Sequence, residues 1–357
     1  EAPLPARAGW HASLVMDNAG VGVWTVKSFQ VFEHFGCPEV VALDDKGRCH
    51  VVMSYSGTWT PITVLHDGGW LGGLSQGDVD PRVLGKELCT GSRRGNIFQV
   101  RAYEQTLVDG RLIASIEGRE IHTLVSGDLD PRTPGNELIA FTRPGGVYRL
   151  TATGKDGGFD VVKLQDFKGR VRDALVIPGQ TGRPARIACV SRRGTLRLLQ
   201  ITKEGLQWET VHGTNMGKGR VTRKPSRPGD PLVLYTTHDD GRIMRHEEIK
   251  SGWSHETIYL GPQGPRGVAA GRFDADASLE TVAVFGYSKR VELLTRTAKG
   301  WRVETIFEGL AKGHWLCAGE VDGRNATNEL FACGFGGRIV QLMRPPGYGR
   351  SEQAARR

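Results

Sequence analysis

Apolar and polar residues alternate in short runs along nearly the whole chain, as in Trp10-His11-Ala12-Ser13-Leu14 and Trp301-Arg302-Val303-Glu304. This period-two pattern, with Gly at the turns between runs, predicts half-buried strands joined by hairpins. No long helix stands out. The runs are themselves ordered by a repeated turn: Gly77-Asp78-Val79-Asp80-Pro81-Arg82, closed by Lys86-Glu87-Leu88, returns as Gly127-Asp128-Leu129-Asp130-Pro131-Arg132 with Asn136-Glu137-Leu138. Weaker copies stand at Gly271-Arg272-Phe273-Asp274 with Leu279-Glu280-Thr281, and at Gly319-Glu320-Val321-Asp322 with Asn328-Glu329-Leu330. A period of roughly 50 residues marks a repeat architecture and outranks any single motif in deciding the fold.

Within each repeat a Gly follows the Glu at a constant distance: Glu39 to Gly47, Glu87 to Gly95, Glu137 to Gly145 and Glu329 to Gly337. Arg186 with Gly194 keeps that frame, and Pro231 with Gly241 keeps it if two residues are inserted. The units are then 24–65, 70–116, 120–165, 170–211, 218–259, 264–307 and 312–343, followed by a tail, 344–357. Several repeats end on a Gly-aromatic strand, such as Gly252-Trp253 and Gly300-Trp301, whereas the last repeat lacks one and the N-terminus has one to spare at residues 9–15, opening on Gly9-Trp10. The expected fold is therefore an all-β, seven-bladed β-propeller in a single domain, with the N-terminal strand supplying the outer strand of the last blade and removing an open edge.

Composition changes this picture little. At 357 residues no apolar run approaches the ~20 residues of a membrane span, so none is expected. The net charge of +8 comes from scattered Arg without a basic run, which argues against nucleic acid and leaves an anionic ligand open. A start at Glu1-Ala2-Pro3 fits a mature end left by export, or a boundary, and a secreted or periplasmic monomer is the expectation.

The Gly-Asp-hydrophobic-Asp turn followed by a Glu-Leu strand resembles the repeat of FG-GAP/VCBS-type propellers, the group that includes the integrin α head. That resemblance covers most of the chain and implies fold more than function. Members that bind Ca²⁺ in this loop place carboxylates at alternate positions. Here Arg82, Arg132 and Arg324 take the third position and Arg272 the first. A hard cation needs oxygen ligands, so no calcium is expected in the Asp78 and Asp128 loops, and each Arg is expected to pair a neighbouring carboxylate in its place.

Aligned blades give one equivalent position just before each Gly-Asp turn, occupied by Trp24, Gly72, His122, Arg172, Arg220, Arg266 and His314. In a propeller these border the mouth of the channel. A polar, cationic funnel with a stacking surface follows, Trp70 lying beside the gap at Gly72. Its ligand should be an anionic or hydroxylated carbohydrate, with Arg172, Arg220 and Arg266 on the anionic group and Trp24 or Trp70 on the sugar face. With His122 or His314 moving a proton, the set suits β-elimination by a carbohydrate lyase or dehydratase. A His at this place also resembles the propeller of aldos-2-ulose dehydratases, where such residues serve a metal-assisted site. A single divalent ion on His122 and His314 is the lesser reading, and no cofactor is required. The alternatives are that these side chains only satisfy neighbouring carbonyls, or that the same face binds glycan or protein without catalysis.

The remaining motifs add less. Gly73-Leu74-Ser75-Gln76-Gly77 matches the serine-hydrolase pattern but runs into a β-turn without the required helix. The six cysteines lack metal-ligand spacing, and Cys37 with Cys49 and Cys317 with Cys333 are the pairs to consider for disulfides. His11, His34, His50, His66, His212, His238, His246 and His255 are read as surface or strand residues.

Overall fold

The computed structural model describes residues 4–348 apart from 5, 33–35, 56, 104–106, 131, 134, 155–156, 181–182, 310, 322 and 324. His34, Asp322 and Arg324, singled out above, thus lie outside the described residues. Every regular element among the described residues is a β-strand, and no helix is long and apolar enough to cross a membrane.

The strands form seven four-stranded antiparallel sheets, the blades of a seven-bladed β-propeller. Strand β1 (His11–Asp17) comes first in the chain. The first blade is β2 (Val23–Phe29), β3 (Glu39–Asp44), β4 (Arg48–Tyr55) and β5 (Thr58–His66). The second is β6 (Leu71–Gly77), β7 (Glu87–Ser92), β8 (Asn96–Tyr103) and β9 (Leu107–Ser115). The third is β10 (Glu120–Gly127), β11 (Glu137–Arg143), β12 (Gly146–Ala152) and β13 (Phe159–Asp166). The fourth is β14 (Val171–Ile177), β15 (Arg186–Ser191), β16 (Thr195–Thr202) and β17 (Gly205–Gly213). The fifth is β18 (Lys218–Arg223), β19 (Val233–His238), β20 (Arg242–Ile249) and β21 (Gly252–Leu260). The sixth is β22 (Pro265–Ala270), β23 (Thr281–Gly286), β24 (Arg290–Thr297) and β25 (Gly300–Glu308). The seventh is β26 (Gly313–Gly319), β27 (Glu329–Gly334) and β28 (Arg338–Met343), with β1 paired antiparallel to β28 as its fourth strand. The N-terminal strand thus completes the last blade, as the surplus Gly9-Trp10 segment predicts.

Burial follows strand position. The second strands are almost wholly buried, β3 throughout and β11 up to its last residue. The fourth strands β5, β13 and β21 keep most residues in solvent and reach inward with single side chains. By contact the chain divides into two compact units: residues 1–44, 51–62 and 222–357, and residues 45–50 and 63–221. In the first, Phe273, Phe285, Phe307 and Leu330 form one cluster, and Val26, Val40, Phe331 and Cys333 another. In the second, Ile139, Phe141, Phe167 and Leu199 pack together, as do Ile97, Ile121, Leu124 and Leu150.

The repeated turn is held by its closing Glu. Glu87 Oε2 accepts from the amides of Val79 (2.9 Å) and Asp80 (3.3 Å), and Glu137 Oε2 from Leu129 (2.8 Å) and Asp130 (2.9 Å). Glu39 and Glu329 do the same in the first and last blades. One carboxylate thereby satisfies buried amides that no strand partner reaches. The arginines fork the Asp of the turn, Arg82 donating Nε and Nη2 to Asp80 at 2.7 Å each and Arg132 doing so to Asp130. Arg111 and Arg149 add a second guanidinium to the same two carboxylates. Arg272 is different: it donates to the carbonyl of Ala275, not to a carboxylate.

Three expectations need correction. In the sixth blade the residue that receives the turn amide is Thr281, whose Oγ1 accepts from Phe273 N at 3.3 Å, so the frame lies one residue beyond Glu280. In the fifth blade the strand begins at Val233, in frame with Gly241, and the extra residues fall in the preceding loop and not between strand and Gly. All six cysteines are free thiols: Cys317 lies opposite Phe331 and Cys333 opposite Trp315, so the proposed pairing has no cross-strand register, and Cys37 and Cys49 are likewise unjoined.

Candidate binding face

A β-bulge on the first strand of a blade fixes the aligned positions. Register slips across a single residue between Val23 and Thr25, Leu71 and Gly73, Ile121 and Thr123, Val171 and Asp173, Pro265 and Gly267, and Gly313 and Trp315. The residues skipped are Trp24, Gly72, His122, Arg172, Arg266 and His314. A bulged residue leaves the ladder and its side chain is re-aimed, a device common beside functional sites.

In the first unit Trp24, Arg266 and His314 belong to one aromatic and cationic cluster. The rings of Trp24 and His314 meet edge to face at 4.2 Å, and His314 Nδ1 lies 2.7 Å from the Trp24 carbonyl. A carbonyl only accepts, so Nδ1 carries a proton and donates it to that carbonyl. Phe335, in the β27–β28 turn, stands 5.3 Å from His314 and 6.1 Å from Tyr287, which lies in the β23–β24 turn. Over Tyr287 sit both the Arg266 guanidinium at 5.1 Å and the Lys312 ammonium at 5.3 Å. Arg266 is also ion-paired to Asp239. Gly264 makes the seat possible, because it adopts φ +75° and a Cβ there would strike the Tyr287 ring. Tyr287 and Phe335 remain 38% and 41% exposed, which makes them a presented surface and not core.

The second unit holds Trp70, Gly72, His122, Arg172 and Arg220. Trp70 folds over Gly72, its ring standing where a Cβ would go, and meets His122 edge to face at 5.8 Å. The gap expected at Gly72 is therefore filled by its own neighbour. Arg172 donates to the Lys218 carbonyl at 3.2 Å, while Arg220, buried, donates to the carbonyls of Arg172 and Gly219. These two guanidiniums thus serve the backbone next to them. Beside them burial, and then Arg172, Arg143 and Arg192, depress Arg170 to about 10.

Sequence reasoning missed Tyr287, Phe335 and Lys312, which lie in or beside turns where no period applies. It also left His238, His246 and His255 apart. In the structure Thr236 Oγ1 lies 3.2 Å from His238 Nε2 and 2.9 Å from His246 Nε2, and His246 Nδ1 lies 2.9 Å from His255 Nδ1. The β20–β21 register sets His246 opposite His255, and Thr236 on β19 links His246 to His238.

Comparison with known proteins adds fold. The chain matches no family model and no curated protein. Among solved structures it is similar to the WD40 β-propeller domain of Doa1, at 12% identity and a TM-score of 0.63 over 97% of this chain and 99% of that one. It is also similar to BBS1N in its complex with ARL6DN, at 14% identity and a TM-score of 0.64 over 95% and 98%. These likenesses show a β-propeller fold, in agreement with the seven sheets.

Proposed function

We propose that this protein is a non-catalytic binding propeller that engages a partner protein through the face formed by Tyr287, Phe335, Trp24, Arg266 and Lys312. The observation that carries the reading is the pair of exposed aromatic rings, Tyr287 and Phe335, packed against each other and backed by two cations. Exposed aromatics beside Arg are the usual anchors of protein interfaces. The BBS1 propeller, of similar fold, is seen in complex with ARL6DN, which supports the same use here. The β-elimination reading has weaker support, since His314 is enclosed by Trp24 and Phe335 and Arg172 and Arg220 serve backbone carbonyls.

A photo-cross-linking residue placed at 335 or 287 should capture the same protein, which the same residue at the exposed Ile249 should miss. Lys312→Glu with Arg266→Glu should abolish capture. Equal labelling at 249 would end the reading, and release of an unsaturated product from uronate-containing glycans, lost in His122→Ala and His314→Ala, would restore the lyase.

A further inference from the structure

Next to this face the first unit contains a cleft of about 540 Å³ between its sixth and seventh blades. Its walls are largely apolar: Phe285, Phe307, Ala332, Cys333 and Val340, with Gly334 and Gly336 beside them. Ala311 and Lys312 form one lip. Gly334, Gly336 and Lys312 connect the cleft to the exposed ring of Phe335, whose amide donates to the Lys312 carbonyl at 3.1 Å.

The charges around the mouth are unequal. Arg338 pairs with Asp17 at 3.1 Å, and Glu308 pairs with Arg7 at 2.8 Å. Arg266, further along the face, pairs with Asp239. Among the described residues Lys312 pairs with no carboxylate and rests only on the Tyr287 ring. An apolar slot large enough for a bulky side chain, with an unneutralised ammonium on its lip, is complementary to an apolar group carrying a nearby carboxylate.

We infer that this cleft is the anchor pocket for an extended acidic segment of the partner, which inserts one large apolar side chain between the blades and sets an Asp or Glu within two residues of it against Lys312. The inference rests on the partner-binding reading and narrows it to a peptide chemistry. The excess of basic residues, 47 against 39 acidic, favours an acidic partner over a basic one.

The test is selection of a displayed random octapeptide library on the full chain. Recovered peptides are expected to share a Phe, Leu, Ile or Met with Asp or Glu no more than two positions away. Ala311→Trp, which fills the lip, and Lys312→Glu, which reverses its charge, should each weaken a fluorescent copy of the best peptide at least tenfold. Lys312→Met keeps the contact with Tyr287 without the charge and should weaken it several-fold, with thermal midpoints confirming that each variant is folded. Peptides without an acidic residue, or undiminished binding to folded Ala311→Trp and Lys312→Glu, would overturn the inference. Should Tyr287→Ser and Phe335→Ser alone weaken binding, the face stands and the cleft falls. A library that returns no binder also removes the cleft, and cross-linking at 335 then decides the face independently.

Discussion

Asp80 and Glu87 share one turn, the amide of Asp80 donating to Glu87 Oε2, yet they titrate in opposite directions. Hydrogen bonds from Arg82 hold Asp80 below the usual carboxylate range, against the effect of burial. Burial raises Glu87 to about 7 from an ordinary 4.5, outweighing its two amide donors. The folded state therefore binds this Glu proton more tightly than the unfolded chain does. Its contribution to stability is complete below about 4.5 and is lost as pH rises through about 7. Glu87→Gln keeps an oxygen for both amides and cannot ionise, so it should be nearly neutral at pH 4 and stabilising by about 2–3 kcal/mol at pH 9. Urea denaturation at both pH values measures this, and an equal effect at the two would refute it. The Asp side of the turn gives a second prediction. With guanidinium forks on Asp80 and Asp130, neither Ca²⁺ nor a chelator should move the thermal midpoint, while Arg82→Ala, leaving Asp80 to Arg111 alone, should cost about 1–3 kcal/mol. A calcium-dependent rise in the parent's midpoint would contradict the first part.

At the scale of elements, the sixth blade departs most from the repeat, and each departure has a physical consequence. Thr281 takes the place of the capping Glu, which leaves the adjacent Glu280 to a different task. It accepts from Tyr235, from Arg245 Nε at 2.6 Å, and from Lys224 and Arg296 at 3.3 and 3.4 Å. Burial opposes its charge, but Arg245 and Tyr235 prevail and hold it at about 2. That stability is present above the ordinary carboxylate range and lost as pH falls towards about 2. Glu280→Gln should cost about 1.5–3 kcal/mol near neutrality, because buried Arg245 loses one of its two carboxylates and keeps only Glu247, and the deficit should shrink in acid. A variant as stable as the parent at pH 7 would remove this account. The same blade puts Lys289 at φ 66°, where Gly47, Gly95, Gly194, Gly241 and Gly337 stand in five others. Lys289→Gly should stabilise by roughly 0.5–1 kcal/mol in the same assay, and a loss would show that the Lys side chain matters more than its backbone.

These departures also explain what was legible in the sequence. Strands and blade count were readable because the capping Glu and the left-handed Gly answer local backbone needs that recur in each repeat, so chemistry and spacing coincide. The bulge positions could be aligned for the same reason, from Trp24 to His314. Thr281 broke the signal by satisfying the same amide with a hydroxyl, and an adjacent acid disguised the shift. The exposed face was not legible: Tyr287 and Phe335 sit in turns whose neighbours across the blades, Lys312 and His314, are set by packing and not by any period along the chain.

For the molecule as a whole, the last blade depends on contacts between the two ends of the chain. Ser13 Oγ donates to Gln341 Oε1 at 2.9 Å across 328 residues, within the β1–β28 ladder. Trp10 is buried beneath the Arg344 guanidinium at 4.6 Å, and Val15 and Met16 enter the core. Closing so long a loop carries an entropic cost that grows only as the logarithm of its length, roughly 0.6 kcal/mol per doubling, which the burial of Trp10, Val15 and Met16 offsets. Without residues 1–17, β28 would present an unpaired edge flanked by the newly exposed Val340 and Leu342, the kind of edge that templates association. The truncated chain is expected to form larger species on size exclusion with light scattering, and a synthetic peptide covering residues 8–19, added in excess, should return it to the size of the parent. A truncated chain of unchanged size and thermal midpoint would mean that the seventh blade is stable with three strands and that β1 is an accessory to it. Peptide rescue, by contrast, would show that the edge itself, and not loss of core volume, drives the association, because the peptide restores the ladder without restoring the covalent loop.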